Sequence, residues 1–552
     1  MGRNRKKKRR LRAIMAGETD FKRKRKKESS SMKKKSSRVT KEETFDYKAR
    51  TRVLPEEYPT SARRSKDDFV TSRDKEFRSV LKTSYAGFCV DERDRFPKQF
   101  HDEFSSAFEQ LERDGVFLYD VTQPRGLGTP CARTFVKRTL LGVPGITYKY
   151  LGLRMFAIPW NDKYRLMEKL NSNLVRRTKS HLKNLSTFKN EPKGPCEYNL
   201  TLINRMEPLS RFESELKNEP MFSKEKCSVS WHADSTLQHF SSIAVYHKFY
   251  DDGDKTRKPW KIGLRVACDS EGPTRSKLMT SNDSKTPPVA IDLPNSSAYY
   301  MMDDFNHHHQ HAVIAGDTLR YASTHRVCRV NGHTVQNVLE KCRNVLNRSG
   351  KRHTIKQWRS EQFLLDELEF EWIRQWFVQG KRHAEIRVVF WQSQIQELIK
   401  MWIELESRTR GAFEVLRHAV EDVPKDEEKA TIRRFLKRKK KASLALKEKN
   451  QLNHLAAFDL LIEHLSKRHE KRVHWQKRYE DPAFQKVAKD CRPMPLPIFR
   501  ELNGDVSLGE SLNGSISRIR VRYVISLGYI PIFSITFVTC MATDIFPTLH
   551  HP

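Results

Sequence analysis

Five side chains in the middle of the sequence could together hold a metal ion and a small dicarboxylate. His232 and Asp234 form a His-x-Asp pair, His311 follows after a long spacer, and Arg320 and Arg326 lie nine and fifteen residues beyond it. Two imidazoles and one carboxylate are the protein ligands of non-haem Fe(II) oxygenases, which leave three coordination positions open. An arginine supplies a planar fork for a distal carboxylate. The set therefore predicts a site for Fe(II) and 2-oxoglutarate.

Each part of this set is a weak signal by itself. A chain with 20 histidines contains His-x-Asp pairs by chance, and a buried structural histidine is the ordinary interpretation of His232 alone. His307, His309 and His311 crowd one segment, where they would share one face of a strand or belong to a polar loop. If the His-x-Asp pair lies on a strand, alternation places His232 and Asp234 on one face. The order and spacing of the whole set favour a metal site.

The second arginine and the overall charge indicate the class of substrate. Histone-type and prolyl-type oxygenases generally use a lysine for the cosubstrate carboxylate, whereas nucleic-acid demethylases of the AlkB type use two arginines spaced like Arg320 and Arg326. The net charge is +36, and residues 1–40 contribute +15 of it, which leaves +21 on the body of the chain. A basic body favours a polyanionic partner, RNA or DNA.

The first 52 residues are predicted to be a disordered basic tail. The clusters Lys6–Arg10 and Lys22–Lys27 predict a bipartite nuclear-localisation signal, so we expect import machinery as a partner and a location in the nucleus, or in nucleus and cytoplasm. A solvated tail with nonspecific nucleic-acid affinity is the alternative. The tail lacks the apolar stretch of a secretory signal. The nine scattered cysteines favour reduced thiols over a disulfide framework.

Segments in both halves of the chain resemble one family, in the same order. The chain is similar to the fat-mass-and-obesity-associated (FTO) nucleic-acid demethylases, which are AlkB-type Fe(II)/2-oxoglutarate dioxygenases. The resemblance runs from about residue 54 to about residue 500. The segments that carry it are Pro144–Leu151, Tyr198–Asn204, Val229–His232, Asp303–Asn306, Glu369–Gln375 and Met494–Pro497.

The resemblance implies a reaction and a set of site residues. The reaction would be oxidative demethylation of N-methylated bases in RNA or single-stranded DNA, with N6-methyladenine as the expected base. Dioxygen would be the second cosubstrate, and formaldehyde and succinate would be released. The ligands of Fe(II) would be His232, Asp234 and His311. The residues around 2-oxoglutarate would be Asn204, Tyr299, Arg320 and Thr324, and Arg326 would lie at the cosubstrate end or against the base. The base pocket would be lined by Arg138, Tyr148, Tyr150, Trp231 and Ser235.

Two positions depart from the family pattern. Ser235 stands where the family's animal members carry a glutamate that helps to read the purine edge, and Ala322 replaces a serine on the cosubstrate side. The first puts base specificity in doubt, and the second only the tightness of 2-oxoglutarate binding. We expect Arg138 to lack a nearby counter-charge and discrimination among methylated bases to be weaker.

The apolar patterns predict an α+β protein. In residues 53–330, short β-branched and aromatic runs between turns predict a double-stranded β-helix (jelly roll), with a helix over Gln99–Arg113 packed on a sheet. In residues 331–503, long apolar periods predict an all-α, bundle-like domain. The predicted strands include Ser242–Tyr246, Ile262–Val266 and Ser297–Met301. The predicted helices are Val335–Asn347, Ser360–Val378, Gln392–Val423 and Ala457–Arg478. The aromatic residues expected in the helical core are Trp372, Trp376, Phe377, Trp391 and Trp402.

Residues 504–552 form an atypical tail that does not fit the family. Tyr523–Thr543 carries no charge, but Gly528, Pro531 and several hydroxyl residues make it a poor membrane span. A wrongly assigned terminal exon explains this tail better than a membrane anchor, so no membrane partner is expected.

Two other functions stay open on the sequence. A nuclear RNA-binding or scaffold protein with a residual oxygenase site would carry the same basic charge, although a complete ligand set argues against it. A protein hydroxylase on the same fold is disfavoured by the arginine pair. Iron-dependent succinate release with methylated RNA separates these functions. The sequence leaves the oligomeric state open.

Overall fold

The computed structural model describes residues 69–121, 133–150, 152–185, 192–219, 225–250, 256–267, 286–348, 354–379, 385–421 and 446–480. The predicted basic tail and the atypical tail of residues 504–552 lie outside these ranges. Among the helices of the described ranges, none is long and apolar enough to cross a membrane.

The strands all lie in the first part of the described chain. They are β1 (Phe88–Asp91), β2 (Leu118–Val121), β3 (Arg133–Gly142), β4 (Thr147–Tyr150), β5 (Leu153–Phe156), β6 (Ile158–Pro159), β7 (Leu200–Met206), β8 (Cys227–His232), β9 (Ile243–Tyr250), β10 (Lys261–Val266), β11 (Val289–Asp292), β12 (Ser297–Met301), β13 (His309–Ile314) and β14 (Leu319–Arg326).

The α-helices flank the sheets or follow them. They are α1 (Phe77–Thr83), α2 (Lys98–Arg113), α3 (Arg165–Asn184), α4 (Leu209–Phe212), α5 (Phe305–His308), α6 (Val335–Leu346), α7 (Ile355–Asp366), α8 (Arg374–Gln379), α9 (Glu385–Glu421) and α10 (Leu446–Glu480), and a π-helical segment, Glu367–Ile373, joins α7 to α8.

Two sheets, antiparallel except where β6 runs parallel to β3, face each other and enclose the core. The major sheet has the order β1-β12-β9-β14-β7-β3-β2, with β6 added beside β3, and the minor sheet has the order β11-β10-β13-β8. One apolar cluster contains Leu202 and Val245 from the major sheet with Ile262 and Val313 from the minor sheet. A third, two-stranded sheet is formed by the hairpin β4-β5. This arrangement confirms the predicted α+β class with its double-stranded β-helix.

The outer face of the major sheet is covered by α2 and α3. Phe100, Phe104, Phe108 and Leu111 recur at helical spacing on α2 and are buried there, as the sequence predicted. Phe104 stacks on Tyr246 from the back of β9, with ring centroids 4.0 Å apart. The remaining face of the sheet is therefore free to build a site in the interior.

The helices after β14 form the second core. Trp372, Trp391 and Trp402 are fully buried among them, which confirms that these aromatic residues are core residues. Arg468 is also buried, and it bonds to Asp366 and Glu406 from two other helices. Such a buried cation is tolerated because it is paired and hydrogen-bonded.

Candidate active site

The two predicted histidine ligands lie opposite each other on the minor sheet. His232 ends β8 and His311 lies near the start of β13, and the two are paired in register. Their ring centroids are 4.2 Å apart. Leu264 of β10, which pairs with His311, belongs to the interior core, so this face of the strands points between the sheets. Strand pairing alone therefore brings together two ligands that are 79 residues apart in sequence.

Asp234 is positioned by side chains and not by a strand. The condition under which His232 and Asp234 would share one strand face is not met, because β8 ends at His232. The Asn306 amide donates to the Asp234 carbonyl and accepts from the Asp234 N–H, both at 2.9 Å. The Arg326 guanidinium donates to both Asp234 carboxylate oxygens, from Nε to Oδ2 at 2.9 Å and from Nη2 to Oδ1 at 2.7 Å.

The three ligand atoms form a compact set. Those of His232, Asp234 and His311 lie within 4.8 Å of one another, and this is the one such group found in the described part of the chain. His232 Nδ1 is 2.8 Å from the Ser230 carbonyl oxygen. Because a carbonyl only accepts, Nδ1 carries the proton and Nε2 is left as the metal-binding nitrogen.

The protonation states of these groups suit a divalent cation. Burial, opposed by the charge of Asp234, lowers the pKa of His232, and burial together with His232 lowers the pKa of His311 to about 3. Burial acts against ionisation of Asp234, but Arg326 and the two histidines bring its pKa below the ordinary value. Two neutral imidazoles and one carboxylate are therefore ready at neutral pH. This donor set fits Fe(II).

Arg320 is a buried cation with unused donors. The residue is 1% exposed, and its Nε and Nη2 have no hydrogen-bond partner, while Nη1 lies 3.0 Å from the Met206 sulfur. Leaving buried donors unpaired is costly, so such a group marks a place for an acceptor. A carboxylate oxygen pair would satisfy both donors at once. The residues present therefore fit a dicarboxylate such as 2-oxoglutarate.

The other predicted cosubstrate residues lie on the same inner face of the major sheet. Residues 320, 322, 324 and 326 alternate inward on β14, and strand pairing places Asn204 beside Ala322 and Leu202 beside Thr324. Val245 connects Thr324 to Tyr299 across β9. The sheet thus gathers Asn204, Tyr299, Arg320 and Thr324 on one surface.

Arg326 lies at the metal ligand. Besides gripping Asp234, its guanidinium carbon lies 5.0 Å from the centre of the Tyr148 ring. Its Nη1 is buried without a partner. Arg326 therefore links the triad to the predicted base pocket, whereas its proposed contact with cosubstrate or base stays a prediction.

Arg138 is held by three groups at the other end of the cavity. Its Nε donates to Asn204 Oδ1 at 2.9 Å and its Nη1 to the Tyr150 hydroxyl at 3.0 Å. Asp120 lies 3.5 Å from the same Nη1 and also accepts from the Tyr150 hydroxyl. The expectation that Arg138 lacks a counter-charge was therefore wrong. Asp120 was missed because it lies in a short strand far from any motif, and its only sequence signal is a carboxylate inside the apolar run Phe117–Val121.

The two predicted tyrosines line one side of the base pocket. Tyr148 and Tyr150 alternate to the same face of β4, with rings 6.2 Å apart and nearly parallel. Burial raises the pKa of both hydroxyls, which therefore remain neutral donors. Ser235 is exposed and lies near the Tyr148 hydroxyl, and its own hydroxyl donates to the Lys149 carbonyl oxygen at 3.5 Å.

Trp231 does not lie with these tyrosines. Its ring rests on Gly263, whose Cβ position would be 3.0 Å from it, and stacks beside Phe69. Gly263 pairs with Ala312 on the outer face of the minor sheet. Trp231 also packs against Cys227, Ala312 and Ile314, the cluster on this outer face, so its ring lies on the side opposite to His232. The prediction that the Trp231 ring lines the base pocket is therefore corrected.

The neighbouring histidines have structural positions. His307 belongs to α5 and not to β13, so the expected row of three histidines on one strand does not form. The ring nitrogens of His309 lie 3.0 and 2.8 Å from the carbonyl oxygens of Phe305 and Ser84. Only His311 of this segment reaches the triad.

Comparison with known proteins agrees with this geometry. Residues 75–329 match the family model of the FTO catalytic domain, and residues 330–520 match that of the FTO C-terminal domain. The Xenopus laevis alpha-ketoglutarate-dependent dioxygenase FTO is 30% identical over 403 residues, which cover 62% of this chain and 76% of that protein. A solved Trichoplax adhaerens prolyl hydroxylase in complex with a hypoxia inducible factor peptide is 13% identical with a TM-score of 0.25, and the match covers 45% of this chain and 87% of that one.

Together, the matched domains span most of the chain and contain every residue of the triad and of the cavity around it. The chain belongs to the FTO family and is a 2-oxoglutarate-dependent dioxygenase.

Proposed function

We propose that this enzyme removes N-methyl groups from bases of single-stranded nucleic acid, with N6-methyladenine in RNA as the expected substrate. The observation that carries the proposal is the pocket of Arg138, Tyr148 and Tyr150, which Arg326 joins directly to the metal ligand Asp234. Two aromatic faces and a cation suit a flat, polar ring such as a nucleobase.

The chain's own residues divide the work between two ends of the cavity. Bound iron, with 2-oxoglutarate and dioxygen, supplies the oxidising chemistry. Arg320 binds the far carboxylate of the cosubstrate, while Asn204, Tyr299 and Thr324 surround it. Arg326 keeps the Asp234 carboxylate ionised and oriented. The methyl carbon is hydroxylated and leaves as formaldehyde, and the cosubstrate leaves as succinate and carbon dioxide.

A target base must leave its stack to reach this site. Tyr148 and Arg138 are buried, so a base that contacts them must enter the cavity between the sheets. Extrusion costs least in a single strand, where no pairing is lost. The basic body of the chain favours the phosphate backbone of such a strand in a sequence-independent way.

A panel of methylated oligonucleotides tests the proposal. Formaldehyde and succinate should appear in equal amounts with N6-methyladenine or N3-methylpyrimidine in single strands, and His311→Ala should release neither. Succinate release without formaldehyde from any methylated oligonucleotide would contradict the proposed substrate. No iron-dependent succinate under any condition would instead support the scaffold function.

We also propose that the enzyme acts in the nucleus, on the strength of the two basic clusters in residues 1–40. Deleting residues 1–40 should abolish nuclear accumulation and leave turnover on a short oligonucleotide intact. If about six to eight tail cations meet phosphates, log affinity should fall with log salt at a slope of roughly −4 to −6 before the deletion and less steeply after it. Unchanged nuclear accumulation would remove this role from the tail.

A further inference from the structure

His247 is a buried histidine on the inner face of the major sheet that the site described above leaves without a role. It is 0% exposed, and it pairs with Ala322 of β14 on one side and with Ser297 of β12 on the other. Its neighbours along β9, Val245 and Phe249, both belong to the interior core, so alternation points His247 into the same cavity.

The row that contains His247 is the polar row of the cavity. Strand pairing places Arg138, Asn204, Ala322 and His247 side by side across four strands. Arg320 is two residues from Ala322 on β14, which makes it the diagonal neighbour of His247, with Cα atoms roughly 7–8 Å apart. Between Asn204 and His247 this row carries only the methyl side chain of Ala322. His247 therefore borders the volume that the Arg320 fork would fill with a carboxylate.

The hydrogen bonds of His247 fix its tautomer. Nε2 lies 2.9 Å from the Pro294 carbonyl oxygen and 3.0 Å from the Ser297 hydroxyl oxygen, and that hydroxyl itself donates to Pro294. Because the carbonyl only accepts, Nε2 carries the ring proton. Nδ1 is then a bare acceptor, and it is buried with no hydrogen-bond partner.

We propose that His247 is a cosubstrate-positioning residue whose Nδ1 takes up a proton when 2-oxoglutarate enters and then donates to the carboxylate held by Arg320. The proposal rests on the assignment of Arg320 to 2-oxoglutarate made above. An unprotonated Nδ1 would present its lone pair to the carboxylate, which is repulsive. Moving the ring proton from Nε2 to Nδ1 would instead break the bond to Pro294. Uptake of a proton keeps the Nε2 bond to Pro294 and lets Nδ1 donate to the carboxylate.

The surroundings of His247 give the sign of the pH effect. The charged or titratable groups facing it are Arg320 from β14 and Tyr299 from β12, whose ring centroid is 6.1 Å away. Burial, together with Arg320, holds the pKa of His247 well below its ordinary value, so the ring is neutral in the empty cavity at neutral pH. An incoming carboxylate favours the cation and raises this pKa. Binding therefore consumes a proton, and affinity for 2-oxoglutarate should fall as pH rises.

Calorimetry can count this proton. The full-length chain, loaded with Mn(II) so that no turnover occurs, is titrated with 2-oxoglutarate in two buffers of equal pH and different ionisation enthalpy. We expect uptake of close to one proton per cosubstrate, and a Kd that rises up to about tenfold per pH unit above neutrality. His247→Phe and His247→Gln should bind more weakly, with no proton uptake and a flat pH profile.

A matched control is His101→Gln. His101 is also buried and neutral, but it lies on α2 behind the major sheet and bonds to Tyr246 and Arg93. This variant should keep the wild-type proton count, and unfolding midpoints establish that each variant is folded. Wild-type binding without proton uptake, or uptake that persists in His247→Phe, would overturn the role of His247 and leave the proposed function standing. Absence of 2-oxoglutarate binding in the wild type would refute the proposed function itself.

Discussion

The two ends of the cavity are built in different ways. The metal and cosubstrate end is made by β7, β9 and β14, central strands of the major sheet that pair along most of their lengths, and by β13 and the edge strand β8 of the minor sheet. The base end depends on the separate hairpin β4-β5, which has no strand neighbour in either main sheet within the described residues. Backbone register places His232, His311 and Arg320 at the first end and Arg138 at the second. Asp234 lies beyond the end of its strand, and Tyr148 and Tyr150 lie on a hairpin outside the two main sheets.

The hairpin is held from outside by the helical domain. Lys149, which lies between the two pocket tyrosines, forms an ion pair with Glu371 in the π-helical segment. Arg154 on β5 donates through Nε to the Glu371 carbonyl at 2.5 Å, and its guanidinium lies 4.2 Å from the centre of the Trp372 ring. Changes in the helical domain can therefore alter the position of the hairpin in the base pocket without altering the metal ligands. Substitutions should affect one end without the other.

The largest effect is expected for Asp234→Ala, which breaks the metal end in two ways. It removes one of three protein ligands, so turnover should be abolished. It also leaves Arg326 buried and unpaired, which should cost about 3–5 kcal/mol of unfolding free energy in the metal-free protein. His232→Ala should abolish turnover with a much smaller loss of stability, because His232 is half-buried and holds no ion pair of this kind.

Succinate release and denaturant unfolding of both variants check this difference. Equal stability of Asp234→Ala and wild type would mean that Arg326 does not depend on Asp234. Residual iron-dependent turnover in either variant would remove that residue from the triad.

Arg320→Ala should come next, with an effect confined to the cosubstrate. The variant leaves the far carboxylate unpaired in a buried site, at about 3–5 kcal/mol or at least a hundredfold in 2-oxoglutarate affinity. Arg320→Lys should also bind weakly, because an ammonium group cannot reproduce the bidentate fork. Oligonucleotide affinity of both variants should match the wild type. Near-normal cosubstrate affinity in Arg320→Ala would refute the assignment.

The residues of the metal end could be predicted from the sequence because short sequence motifs contain them. The ligands lie at recognisable spacings, and Arg320 and Arg326 share one strand with Thr324, so alternation alone puts them on one face. The fold class followed from the same periodicity. Whether Asp234 lies on a strand could not be predicted, because its position depends on Asn306 and Arg326, which lie more than 70 residues away.

The base end was less predictable because its partners are distant in sequence. Asp120 approaches Arg138 only through the β2-β3 pairing, and Glu371 lies 222 residues from Lys149. Trp231 matched the family motif, but a motif specifies the residue type and not the face of the strand on which the side chain lies. A bulge in the β8-β13 pairing shifts the register within three residues of His232, so pattern alone could not settle its side.

Asp120→Asn should weaken the base end and spare the metal end. The substitution keeps an acceptor for Tyr150 but removes the negative charge beside Arg138, and a charge-assisted contact of this kind is worth about 1.5–3 kcal/mol. We expect kcat/KM on a methylated oligonucleotide to fall about tenfold or more, with the 2-oxoglutarate Kd within about twofold of wild type.

Asp114→Asn is the matched control for this variant. Asp114 also bonds to a tyrosine and a cation, Tyr164 and Lys163, but on the surface between α2 and α3. Its kcat/KM should stay at the wild-type value. Equal losses in the two variants would mean that Asp120 acts on stability and not on the pocket.

The smallest effect, and the most informative about specificity, is expected for Ser235→Glu. Ser235 is exposed, lies near the Tyr148 hydroxyl and donates to the Lys149 carbonyl oxygen, and Asp120 already balances the charge of Arg138. A glutamate here would therefore act on the base and not on Arg138. It should accept from the N6–H of N6-methyladenine, for which N3-methyluracil has no equivalent donor, because carbonyl oxygens flank its methylated nitrogen. One polar contact discriminates by about 1–3 kcal/mol, and exposure to solvent argues for the lower limit. The ratio of kcat/KM for N6-methyladenine over N3-methyluracil should thus rise roughly fivefold to tenfold on paired oligonucleotides, and less at high salt. Ser235→Gln, of the same length without the charge, should give a smaller rise, and the 2-oxoglutarate Kd should not change in either variant. If the ratio stays at the wild-type value in both, Ser235 lies outside the contacts that read the base; if glutamine matches glutamate, length and not charge is the source of the preference.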